Sequence, residues 1–431
     1  MSQFIIEGGH PLNGTITASG NKNAALKLIP ACLLTDQPIT LHNIPDIQDV
    51  RSTIALMRDL GVEMKDLGNG SWYIHANNVS KTELDSQLAS KTRASFVFSG
   101  PMLARFGQVT LPLPGGDVIG RRPLDTHIRA LEALGVTVEM EKRGLFRMNA
   151  DPLTGGGYIL LIEASVTATE NTVMAAVMAD GKTVIHNAAC EPHVRDLCQF
   201  LNNLGANISG VGTNRLTIEG VEKLSGGEFR IGADFMEVGS FIGATAVTGG
   251  EVRIQNADPQ DLGMIRLVYE KLGVTWQVEG NDILIPANQQ MAIQEALGGR
   301  ISEIKPMPWP GFPADLMSIA VVIATQSNGS ILLHDWMYES RFFFVDHLTS
   351  MSASIVLCDP HRVLIQGKSQ LYANPHGIPS PDIRAGMAMV LAGLCANGNT
   401  TIHNIQQIDR GYERIEQKLI SLGARIQRIE G

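Results

Sequence analysis

Residues 174–188 read MAAVMADGKTVIHNA, and residues 391–405 read LAGLCANGNTTIHNI. In both, an apolar helical run gives way to a polar turn with glycine and then to an alternating strand that ends in His-Asn. Residues 31–46, ACLLTDQPITLHNIPD, follow the same order, so His42-Asn43, His186-Asn187 and His403-Asn404 mark one equivalent point three times. A second marker runs through the whole chain. Helix-like segments end in Leu-Gly before a β-rich run at Leu60-Gly61-Val62, Leu134-Gly135-Val136, Leu204-Gly205-Ala206, Leu272-Gly273-Val274 and Leu422-Gly423-Ala424. A degenerate copy stands at Met351-Ser352-Ala353. Leu-Gly is common at helix ends; the near-equal spacing is what makes it a repeat. The period is about 70 residues, too long for a solenoid, and six units fill the chain. Each unit reads as a β/α module of about four strands and two helices, and two compact groups of three would bury both helix stripes and sheet faces. The expected fold is α/β in two domains.

Composition narrows the function. The 431 residues exceed the size at which one hydrophobic core stops growing. With 44% apolar and 18% charged residues, the chain has the balance of a folded soluble protein. A net charge of -9 without any basic run argues against nucleic acid as partner. Cys32, Cys190, Cys198, Cys358 and Cys395 are scattered and odd in number, so they read as reduced thiols rather than a disulfide framework or a zinc site. The longest apolar runs, residues 319–324 and 387–391, fall short of the roughly 20 residues that span a bilayer, and no basic leader precedes an apolar stretch. The cytoplasm is the expected compartment, with no membrane partner.

Five segments can carry chemistry. Ser19-Gly20-Asn21-Lys22-Asn23 precedes an apolar helical run, where unpaired amides, the helix dipole and a lysine suit a phosphate or carboxylate. The same text also fits an ordinary capped helix with a solvated lysine. The stretch Gly115-Gly116-Asp117 through Arg121-Arg122-Pro123-Leu124-Asp125-Thr126-His127 can be a mobile lid that brings an acid and a cation to a ligand, or an exposed connection with a surface ion pair. In Pro308-Trp309-Pro310-Gly311-Phe312-Pro313-Ala314-Asp315 a rigid turn delivers a carboxylate to the head of an apolar helix, as a cap or as a general base. Asp382 beside Arg384, and Asp409 beside Arg410, each read locally as a structural ion pair.

Together SGNKNAAL, the segment around Arg93 and Arg105, LPGGDVIGRRPLDTHI, NAACEPHVRDLC, PWPGFPADL, SPDIRAGMAMVLAG and IDRGYERIE resemble one family along nearly the whole chain: the UDP-N-acetylglucosamine 1-carboxyvinyltransferases. The resemblance implies an inside-out α/β barrel of two domains, residues 22–232 and residues 1–21 plus 233–431, with the active site in the cleft. It implies transfer of the enolpyruvyl group of phosphoenolpyruvate to the 3′-hydroxyl of UDP-N-acetylglucosamine with release of phosphate, the first committed step of peptidoglycan precursor synthesis. No metal or organic cofactor is implied. Lys22, Arg93, Arg122, Arg384 and Arg410 match positions around the anionic groups of phosphoenolpyruvate. Asn23, the run Arg122, Pro123, Leu124, Asp125 and His127, and Asp382 match substrate-contacting positions. Asp315 matches the residue that takes the hydroxyl proton, and Asp117, with Lys22 and Arg410, completes the catalytic set.

Departures from the family pattern bear on this expectation. Asp117 stands where most members have a lid cysteine, the residue alkylated by fosfomycin; a carboxylate is no substitute for that thiolate, so fosfomycin resistance is expected. Glu163 and Phe235 stand where many relatives have lysine and arginine. They leave open a paralogue acting on a related UDP-sugar; a catalytically silent sensor of the nucleotide-sugar is a separate alternative, against which Lys22, Asp315, Arg384 and Arg410 together argue.

Overall fold

The computed structural model describes residues 2–115, 123–141, 144–150 and 152–431. The chain divides into two units: Met1–Ser19 with Ala233–Gly431, and the described residues from Gly20 to Gly232. Asn21 belongs with the second unit because its N–H donates to the Gly232 carbonyl at 2.9 Å and its side chain caps the helix that follows.

The Leu-Gly marker is a helix C-terminus in every copy. Gly61, Gly135, Gly205, Gly273 and Gly423 take φ between 82° and 102°, the left-handed conformation that costs glycine nothing. In the degenerate copy Ser352 adopts it too, at φ 75°. The structural repeat therefore outlasts the sequence repeat.

Each unit packs three sheets around a core of apolar helices. In the first, Phe235–Thr248, Met317–Gln326 and Ile383–Cys395 are buried along almost their whole lengths and pack on one another. The second has Lys22–Ala31, Ser99–Phe106 and Val166–Ala176 in the corresponding places. Helices that end in Leu-Gly, such as Gln48–Asp59 and Pro192–Asn203, are buried on one side only, as their apolar stripes require.

Among the described residues, five sheets have four strands. In each, an antiparallel set is joined at one edge by a parallel strand, as where Gly227–Arg230 pairs with Ile39–His42. The sixth sheet, Gln108–Pro112, Leu145–Asn149 and Thr137–Met140, has three strands, and its parallel neighbour is reduced to one bridge from Glu83 to Thr110. Among the described residues, modules of four strands hold for five units and not for this one. The strands are also shared between distant segments: Gln3–Glu7 lies between Asn399–His403 and Arg425–Ile429. All five cysteines are free thiols. Among the described residues no helix is long and apolar enough to cross a membrane.

Candidate active site

Lys22 owes its position to its neighbours. Asn21 caps the helix by accepting the Ala24 N–H at 3.0 Å, and a Cβ on Gly20 would fall 1.7 Å from the Asn43 carbonyl oxygen, so only glycine permits this approach. Lys22 is thereby the first helical residue. It is not solvated: Nζ lies 2.8 Å from Asp49 Oδ2, with the two side chains 9% and 7% exposed. Asp49 comes from the first turn of Gln48–Asp59. Asn23 is half-buried one position on.

The family segment around Arg93 opens the short helix Arg93–Phe98, which Thr92 caps. Arg105, in the same segment, is a structural tie that donates to the carbonyls of Leu33, Thr35 and Ala76 at 3.0, 2.8 and 2.8 Å. Pro123 and Asp125 are exposed, and Leu124 packs against the core from the start of Asp125–Ala133. His127 is different. Its ring is buried, edge-on to Phe96, with Nε2 3.0 Å from Thr167 Oγ1 and Nδ1 3.2 Å from Asn171 Nδ2. Burial, and then the charge of Arg93, pushes its pKa down to about 3, so the imidazole is neutral. It accepts from Asn171 and donates to Thr167, bracing the helix rather than offering a charge. Asp117 and Arg122 lie outside the described residues.

In the other unit Asp315 is not a helix cap. It sits in the turn Ala314–Leu316 ahead of Met317–Gln326, and its two oxygens accept from different arginines: Oδ1 from Arg341 Nη2 at 3.1 Å, Oδ2 from Arg384 Nε at 3.0 Å. Both guanidinium groups are buried, whereas Asp315 is 34% exposed. The carboxylate is held by two buried guanidinium groups while a third of its own surface stays exposed. Arg384 lies 5.2 Å from the centre of the Tyr412 ring, whose hydroxyl is 2.8 Å from Ser240 Oγ. Burial lowers the pKa of Arg384, but Tyr412 and Asp315 outweigh it and hold the group firmly protonated. Its Nη1 is buried without a hydrogen-bond partner among the described residues.

The two adjacent Asp-Arg pairs are not pairs. Asp382 caps Ile383–Cys395, accepting the N–H groups of Arg384 and Ala385 at 2.7 and 2.8 Å, and the Arg384 side chain goes to Asp315. Asp409 accepts from Arg428 at 2.6 and 3.0 Å, while Arg410 donates to Gln407 at 3.0 Å. Sequence reasoning missed Asp49, Arg341 and Asp335. For Asp49 and Arg341 no local pattern could have found them; Asp335 leaves one trace, described below. Of the other two departures, Glu163 is exposed, and Phe235 is buried with its ring tilted against Trp309, centroids 5.4 Å apart.

Residues 6–419 match the family model of EPSP synthase (3-phosphoshikimate 1-carboxyvinyltransferase). UDP-N-acetylglucosamine 1-carboxyvinyltransferases of Treponema denticola and Bradyrhizobium diazoefficiens are each 51% identical over 427 residues, covering 99% of this chain and 99% and 98% of theirs. That of Borreliella burgdorferi is 50% identical over the full length of both. Among solved structures, the enolpyruvyl transferase NikO from Streptomyces tendae superposes with a TM-score of 0.88 at 20% identity, covering 100% of this chain and 99% of that one. An EPSP synthase from Acinetobacter baumannii gives 0.76 at 18% identity, with both chains covered in full. The repeated α/β architecture is thus the enolpyruvyl transferase fold, and the chain belongs to that family, alongside the UDP-N-acetylglucosamine 1-carboxyvinyltransferases that share half of its residues.

Proposed function

We propose that the protein transfers the enolpyruvyl group of phosphoenolpyruvate to the 3′-hydroxyl of UDP-N-acetylglucosamine, releasing phosphate, as the first committed step of peptidoglycan precursor synthesis in the cytoplasm. The observation that carries this is the full-length match, at half identity, to relatives of that name.

The geometry around Asp315, Lys22 and His127 supports this reading, and the roles of the other residues follow from the family resemblance. Asp315, acceptor of two guanidinium N–H groups and one-third exposed, takes the hydroxyl proton as oxygen attacks C2 of phosphoenolpyruvate. C3 gains a proton, and the tetrahedral intermediate then loses phosphate as the C2–O bond to phosphorus breaks and the C3 proton departs. Asp117 is our candidate donor to C3. Lys22, held by Asp49, and Arg93, Arg122, Arg384 and Arg410 supply cations for the carboxylate and phosphate, stabilising charge that grows in the intermediate. Asn23, Pro123, Leu124, Asp125 and Asp382 border the substrates, and His127 keeps the helix beside them in place. Asp117 in place of a thiol makes the enzyme refractory to fosfomycin.

The test is phosphate release from phosphoenolpyruvate with UDP-N-acetylglucosamine, with shikimate-3-phosphate, and with no acceptor. The expected result is release that depends on the UDP-sugar, with a product heavier by one enolpyruvyl group. Release with shikimate-3-phosphate alone, or binding without turnover, would overturn the proposal.

A further inference from the structure

In three units the strand that ends in His-Asn uses its asparagine in the same way. Asn43, Asn187 and Asn404 take φ of 62°, 57° and 58°. Each side-chain amide donates to the carbonyl just past the neighbouring parallel strand: Ile231 at 3.0 Å, Leu161 at 3.1 Å and Ser380 at 3.0 Å. The corresponding strand Gly329–His334 is followed by Asp335 instead. A carboxylate cannot donate, so this local bond is lost, and Asp335 is not in the left-handed region.

The carboxylate turns elsewhere. Oδ1 accepts the N–H groups of Met337 and Tyr338 at 3.0 and 3.2 Å, while Oδ2 points at Arg341, 3.7 Å from Nε. Asp335 is wholly buried and Arg341 is 2% exposed. Neither Asp335 Oδ2 nor Arg341 Nε has a hydrogen bond to a described residue. An ionised group so placed is costly, and the three His-Asn units show that an amide satisfies this corner of the fold. Folding alone does not explain the aspartate.

We propose that Asp335 is a positioning residue for enolpyruvyl transfer: as the second carboxylate facing Arg341, it shares that guanidinium with Asp315 and so leaves Asp315 basic enough to take the hydroxyl proton. This rests on the role given to Asp315 above. Arg341 stands between two acids, hydrogen-bonded to Asp315 and just beyond bonding distance of Asp335. When Asp315 is protonated it loses its charge, and Asp335 remains to compensate Arg341. Without Asp335 the guanidinium would bind Asp315 undivided and weaken it as a base. The other groups facing this cluster are Asp382 and Tyr338 toward Arg341, His361 toward Asp335, and Arg384 toward Asp315, with Tyr412 and Asp234 behind Arg384.

Asp335→Asn keeps the shape and the acceptor for both turn amides. The expected result is unchanged KM for both substrates, kcat lower by roughly tenfold, and an acid limb of the kcat–pH profile moved to lower pH. Asp335→Glu, which brings the charge nearer Arg341, moves the limb to higher pH, and it decides alone if the asparagine variant does not fold. An unmoved limb, or a loss of activity that follows only a loss of thermal stability, overturns the proposal. Asp315→Asn is measured alongside. If it keeps wild-type activity, the role of Asp315 itself falls; if it is inactive while Asp335→Asn is normal, only the inference falls.

Discussion

Both units bury ion pairs, on opposite terms. Around Asp315 each carboxylate oxygen has an arginine donor at hydrogen-bonding distance and the acid is one-third exposed. In the other unit Lys27 and Glu170 meet at 3.4 Å with side chains 4% and 0% exposed, and neither Glu170 oxygen makes a hydrogen bond among the described residues. Burial, opposed by Lys27 and reinforced by Glu191, pushes the Glu170 pKa from 4.5 to about 8. The first acid is supported and accessible; the second is sealed and pushed toward its neutral form. A charge serves proton transfer only where the cluster that stabilises it also leaves it partly exposed.

The sharpest way to break this contrast is to neutralise each acid. Asp315→Asn should lower kcat by about 10²–10⁴-fold, read by phosphate release, while the protein stays folded at a lowered melting temperature because Arg341 and Arg384 lose a charged partner. A stable, fully active variant would remove the distinction. Next in size is Asp49→Asn, which leaves Lys22 buried without its carboxylate; we expect destabilisation of about 3 kcal/mol in denaturant unfolding, and a higher KM for phosphoenolpyruvate.

Glu170→Gln should leave activity intact and act on the pH dependence of stability. Because the folded protein holds a proton that the unfolded chain releases, the Glu170 contribution is present in full below about pH 4.5 and is lost as pH rises through about 8. The variant should flatten the melting temperature over that window and exceed wild type above it, by on the order of 5 °C. A parallel pair of curves would show that Glu170 is not protonated in the folded state. Smallest is Tyr412→Phe, which removes the bond to Ser240 and should cost about 1 kcal/mol, seen as a modest shift in unfolding midpoint.

Much of the fold was legible because its markers are local. A left-handed residue after a helix needs only its own backbone freedom, so Leu-Gly announced five helix ends, and spacing found the sixth at Ser352. The missing strand of the sixth sheet left no such mark, since a strand reduced to one bridge between Glu83 and Thr110 reads like any other segment. The candidate site was legible as motifs but not as contacts. Asp382-Ile383-Arg384 looked like an ion pair, yet a carboxylate two residues before an arginine at a helix start takes the free amides, which sends the guanidinium elsewhere. Asp335 was readable in principle as the aspartate that breaks the His-Asn pattern, although no adjacent residue names Arg341 as its partner.

Sequence by itself determined the six-fold repeat, the helix ends, the capped start that holds Lys22 and the family, because each depends on residues within a few positions or on full-length similarity. Tertiary structure alone decided which charges meet. Asp315 takes its donors from 26 and 69 residues away, and Ser19 and Glu413 meet across 394. A side chain reaches only a few ångströms, so such partners are chosen by how the helices and strands pack, not by the order of residues along the chain.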